Sequence, residues 1–119
     1  MRDLLAITKA LADENRLRAI GLLRDRELCL CQIVEVLRLA PSTVSKHMSI
    51  LHQARLGESR KEGRWAYFRL ADDDAPSDAL RALDWVLGSL KQDKRAEADR
   101  QRLRVVIRME PEELCRRQA

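Results

Sequence analysis

Aromatic side chains are nearly missing from this chain: 119 residues hold two Trp, one Tyr and one Phe. Its core must therefore be built from Leu, Ile, Val and Ala. Long apolar runs are missing too, so no segment is suited to spanning a bilayer. The start, Met1-Arg2-Asp3-Leu4-Leu5-Ala6-Ile7-Thr8-Lys9, lacks the apolar stretch and small-residue cleavage site of a signal peptide. A cytoplasmic chain with no membrane partner is expected. Cysteine is scarce and odd in number, at three. A disulfide framework is not expected, and reduced thiols are available as ligands or redox sensors. Histidine occurs only at positions 47 and 52. No nucleophile–base set, phosphate loop or cofactor fingerprint appears, so neither an enzyme nor a catalytic cofactor is expected. Internal repeats and low-complexity segments are absent as well.

What is present suits a small, helix-rich domain. Hydrophobic residues make up 45% and charged residues 35%, with a net charge of +4. That balance permits binding to a polyanion; alone it fits a solvated surface equally well. A chain this short has a modest core, and such domains often complete it by dimerising.

Leu4, Leu5, Thr8, Leu11 and Ala12 recur at helical spacing, and Asp13 is placed to cap a second helix carrying Leu17, Ile20 and Leu23. Arg24-Asp25-Arg26-Glu27 is a polar break. Leu30, Ile33, Val34 and Leu37 mark a third helix that stops near Leu39-Ala40. Pro41 then suits the first turn of a fourth helix, over about 42–54, with Val44, Met48 and Leu51 inside. Beyond Gly57 the period becomes that of a two-stranded hairpin, turning at Glu62-Gly63. Trp65 and Phe68 read as packing residues of its second strand. Asp72 to Pro76 is a loop, and Ser77 or Asp78 can cap a fifth helix. Its stripe of Leu80, Leu83, Leu87 and Leu90, with Val86 beside it, is a candidate dimer face. Residues 1–90 are thus expected to form one domain with that dimer face, and 91–119 a charged tail carrying Cys115.

The order helix, tight turn, helix, basic hairpin predicts a winged helix-turn-helix: mainly α, with a small β-hairpin. Ser42, Thr43, Ser45, Lys46 and Ser49 lie on the outer side of the recognition helix. Short hydroxyls allow close approach to DNA, and Lys46 can donate to guanine. Arg60, Lys61 and Arg64 flank the hairpin tip, where a wing meets backbone or minor groove. His52 and Gln53 are weaker candidates for phosphate. One such residue is unremarkable on a polar surface; the ordered set points to double-stranded DNA.

Cys29 and Cys31 open the third helix, the one that supports the recognition helix. A thiol pair is a trap for soft, thiol-seeking ions, and a helix N-terminus favours the thiolate that binds them. Residues i and i+2 diverge on a regular helix, so gripping one ion requires the helix start to unwind or twist. That strain is expected to lower the population of the DNA-competent geometry.

Glu27-Leu28-Cys29-Leu30-Cys31-Gln32-Ile33, Pro41-Ser42-Thr43-Val44-Ser45-Lys46-His47-Met48 and Gly63-Arg64-Trp65-Ala66-Tyr67-Phe68-Arg69-Leu70 resemble the ArsR/SmtB family of metalloregulatory repressors. Leu11 to Arg18 resembles the opening of that family's second helix, and the likeness covers roughly residues 4 to 90. It implies a homodimer that holds operator DNA and releases it on binding a metal or metalloid. The ELCxC motif resembles the arsenic-responsive type, implying As(III) or Sb(III) bound by thiolates. The family's usual third cysteine falls at Val34 here. Either Cys115 folds back from the same or the partner chain as the third ligand, or two thiols serve a singly methylated arsenical. The family's zinc sites on its last helix need His beside carboxylates, and the only histidines here, His47 and His52, are on the recognition helix. Alternative readings are a cadmium, lead or zinc sensor on the same thiols, a redox repressor using a bridge to Cys115, and a winged helix that binds protein instead of DNA.

Overall fold

The computed structural model describes residues 1–119. In chain order the elements are α1 (Arg2–Leu11), α2 (Glu14–Leu22), β1 (Leu28–Cys29), α3 (Leu30–Leu37), α4 (Pro41–Gln53), β2 (Gly57–Glu62), β3 (Trp65–Leu70), α5 (Ser77–Leu90), α6 (Lys94–Ile107) and α7 (Pro111–Gln118). The expected architecture, mainly α with a small β-hairpin in a helix-turn-helix and wing, is present.

Local chemistry sets the joints. Asp13 caps α2 by accepting N–H bonds from Asn15 (2.8 Å) and Arg16 (3.1 Å). Helix α3 ends at Arg38, whose φ of 58° is left-handed and turns the chain sharply. Pro41 then occupies the first turn of α4, where its missing N–H costs nothing. The turn between the two helices is therefore three residues, Arg38 to Ala40. Gly63, at φ 63°, closes the hairpin between β2 and β3.

Three features depart from the sequence expectation. The sheet has three strands, not two, in the order β1-β3-β2. Leu28 and Cys29 pair antiparallel with Phe68 and Tyr67; two residues are too few to show a strand period. Helix α5 has Pro76 as its N-cap, with no side-chain cap from Ser77 or Asp78. The charged tail expected over 91–119 does not stand apart from residues 1–90, for α6 and α7 pack on that domain's core. Leu103, Val106 and Leu114 join Ile20, Ile33, Val36 and Leu51 in one apolar core. The apolar positions of α6 are sparse among charges, which hides that role in the sequence.

Polar clamps hold the two last helices in place. Arg18 of α2 donates two hydrogen bonds, each 2.9 Å, to the Asp99 carboxylate of α6. Both side chains are buried, and Arg18 also reaches Asn15 Oδ1 at 3.0 Å. Glu35 of α3 faces Arg102 (3.6 Å) and Arg117 (3.7 Å). The Gln118 side-chain amide donates to the Cys31 carbonyl at 2.9 Å.

Candidate nucleic-acid interface and thiol site

Helix α4 turns Val44, Met48 and Leu51 into the core and leaves Ser42, Thr43, Ser45, Lys46 and Ser49 exposed. These five share the solvent side of the helix, with Ser42, Thr43, Ser45 and Lys46 in its N-terminal half. His52 and Gln53 are exposed at its other end. His47 is drawn inward instead: its Nδ1 lies 3.1 Å from Arg16 Nη1. Arg16 also donates from Nε to the Ala10 carbonyl at 2.7 Å and from Nη2 to that of Lys9 at 3.1 Å. The recognition helix is thus pinned to the joint between α1 and α2, a contact that spacing alone does not reveal.

The wing separates its three basic residues. Arg60 donates twice to Glu27, at 2.9 and 2.7 Å, and its guanidinium lies 4.5 Å from the centroid of the Tyr67 ring. Those hydrogen bonds hold the Glu27 carboxyl below its ordinary range. Arg60 therefore fastens the root of the wing to the residues preceding β1. Lys61 is exposed and makes no ion pair, and Arg64 is exposed in the turn. Arg69, which no local pattern singles out, is held between Glu58 and Asp72.

The three cysteines converge. Cys29 is the N-cap of α3 and the last residue of β1, is 2% exposed, and its backbone N–H donates to Gln32 Oε1 at 3.0 Å. Cys31 lies in the first turn of α3. Because α7 folds back over α3, Cys115 comes to within 5.3 Å of Cys31, Cα to Cα, and their sulfurs are bonded. A bridge between residues 84 apart departs from the expectation of three reduced thiols; its cause is the docking of α7. All three cysteines line one cavity of about 180 Å³, with Leu30, Arg64, Trp65 and Ala66 as its other walls. Val34, where the resemblance places a third cysteine, is in the apolar core and does not line it.

The donor chemistry suits a soft ion only after rearrangement. No three His, Cys, Asp or Glu side chains are placed ready to hold a metal, and the Cys31 and Cys115 sulfurs are occupied by each other. Reduction of that bond leaves two thiols within reach of one atom, with Cys29 on the same cavity wall. The cavity residues of the wing, Trp65 and Ala66, escape sequence reasoning because nothing local places a hairpin beside a helix start.

Residues 13–57 match the family model described as bacterial regulatory protein, arsR family. That stretch runs from the cap of α2 through the recognition helix to the start of the wing. An uncharacterized HTH-type transcriptional regulator of Methanocaldococcus jannaschii is 37% identical over 68 residues, 56% of this chain and 76% of that protein. This chain belongs to the ArsR family. Another relative, the arsenic resistance transcriptional regulator ArsR1 of Pseudomonas putida, is 36% identical over 74 residues, 59% of this chain. The match spans 58% of that relative's length. Among solved structures, the homodimeric winged helix-turn-helix DNA-binding domain Mb0332 of Mycobacterium bovis, a possible ArsR-family regulator, superimposes with a TM-score of 0.63 at 26% identity. It covers 76% of this ArsR-family chain and 81% of its own. The ArsR-family match ends at residue 57, so α6, α7 and Cys115 lie outside it.

Proposed function

We propose that this chain is a homodimeric repressor that binds operator DNA and releases it when trivalent arsenic or antimony is taken by its cysteine thiolates. The convergence of Cys29, Cys31 and Cys115 on one cavity at the start of the helix-turn-helix carries this reading. Soft thiolates are the donors such metalloids take, and no hard-ligand site competes with them. Ser42, Thr43, Ser45, Lys46 and Ser49 face the major groove, and Lys61 and Arg64 reach the flanking backbone. The same helix-turn-helix role supports a cytoplasmic location. Similarity to a relative named for arsenic resistance supports the choice of inducer.

The test starts from DNA selected by the reduced protein out of a random duplex pool, then measures anisotropy. Arsenite and antimonite are expected to weaken binding by about tenfold or more. Cys31→Ser is expected to abolish that response, and Cys115→Ser to abolish it if three thiols are needed. Release by cadmium, lead or zinc but not by arsenite assigns the site to those metals. Failure to select any duplex overturns the DNA role.

The Cys31–Cys115 bond favours one second reading, a redox-responsive repressor. A hydroperoxide would oxidise the two thiols to the disulfide as its O–O bond breaks, and the two oxygens would take up the thiol protons and leave as an alcohol and water. Release of DNA by peroxide, and not by arsenite, would decide for it.

A further inference from the structure

We infer that the thiol site signals through the wing, with Trp65 as the positioning residue that couples an occupied cavity to the hairpin. The inference rests on the thiol-sensor reading above and adds the route by which binding there reaches DNA. Sequence reasoning points instead to α3 and the recognition helix it supports.

The sheet makes the connection. Directly opposed residues in an antiparallel sheet share one face. Cys29 opposes Tyr67, and Tyr67 opposes Arg60. These three form a single row across β1, β3 and β2. Arg60 closes the row on itself by bonding Glu27, two residues before Cys29. Trp65 lies on the same face of β3, with its ring stacked on Tyr67 at a centroid distance of 6.5 Å. The strand that bears Cys29 is therefore part of the sheet that forms the wing, and its side-chain row runs into the hairpin.

The cavity completes the argument. Its lining joins the sulfur set and Leu30 to Arg64, Trp65 and Ala66, the turn and first residues of β3. In the reduced protein, arsenite condenses with two thiols: two As–S bonds form, two As–O bonds break, and the thiol protons leave with the oxygens as water. No electrons are exchanged. An atom inserted between Cys31 and Cys115 forces apart sulfurs that are here in contact. Its third substituent, a Cys29 thiolate, a hydroxyl or an organic group, must be accommodated in a space that the wing helps to line. Recruiting Cys29 requires β1 to shift against β3, because Cys29 is nearly fully buried and strand-paired. Either event displaces Trp65 and, one residue away, Arg64 at the hairpin turn.

The experiment uses the reduced full-length chain with its selected duplex and two probes, arsenite and phenylarsine oxide. Wild type is expected to lose about tenfold or more in DNA affinity with either probe. Trp65→Ala is expected to bind DNA within about threefold of wild type without a probe and to consume the same number of thiols. Its affinity should then change by less than about threefold when loaded. Trp65→Phe, which keeps a ring against the cavity, is expected to restore release. In a Trp85→Phe protein, where Trp65 is the sole reporter, both probes should change its emission. If Trp65→Ala is released like wild type, or Trp65 emission is unmoved while thiols are consumed, the wing route is wrong and the sensor reading stands. If wild type consumes the probes and keeps its DNA, both fall together.

Discussion

Arg60 and Lys61 are neighbours on β2, and the sequence offers them as equivalent wing cations. The structure gives them different work. Arg60 is bound to Glu27 and covers Tyr67, whereas Lys61 is exposed and free of any ion pair. Each phosphate neutralised contributes roughly 0.9 to the slope of log affinity against log salt. Lys61→Ala should therefore lower that slope by about one, while Arg60→Ala should leave it nearly unchanged and loosen the wing. Equal losses of slope in the two variants, measured by anisotropy across a salt series, would refute this division. The outward set on α4 was legible because helical periodicity alone assigns faces. Arg16 on His47 was not, since its partners lie on two other helices, α1 and α4.

At the scale of elements, the clamp between α2 and α6 decides whether the last two helices stay docked. Removing one partner of a buried ion pair strands the other charge, at a cost of about 3–5 kcal/mol. Asp99→Ala should lower the unfolding free energy by about 3 kcal/mol, read from urea denaturation with the cysteines held reduced. A double replacement, Arg18→Met with Asp99→Leu, should recover most of that loss, because two apolar side chains leave no buried charge. A loss below about 1 kcal/mol in Asp99→Ala would mean that the pair is effectively solvated. The helices from α1 to α5 were readable from periodicity and stop signals. Strand β1 was not, being two residues long, and α6 was obscured by its high charge.

For the whole molecule, apolar side chains on α1 and α5 are left uncovered. Leu4 and Leu5 of α1 are about half exposed, and Trp85 of α5 is 71% exposed. Beside Trp85 runs a groove lined by Leu11, Leu17, Val86 and Leu90. The stripe expected on α5 is divided: Leu83 and Val86 are buried in the chain's own core, while Trp85 carries the exposed apolar area. Trp85→Glu should shift the protein toward monomer in sedimentation velocity and weaken binding to a two-half-site duplex. An unchanged sedimentation coefficient would place any dimer contact elsewhere.

Composition and periodicity determined, without coordinates, a helix-rich winged helix-turn-helix, the outward face of its recognition helix and a thiol pair at the start of the supporting helix. Those properties are local: they depend on residues three or four apart, on caps and on turn chemistry. Tertiary structure alone decided that Cys115 meets Cys31, that Arg18 finds Asp99, and that the wing forms a wall of the thiol cavity. Such contacts join residues tens of positions apart in the chain, 84 in the case of the cysteines. They are set by how the helices and sheet share one core, which no local pattern encodes.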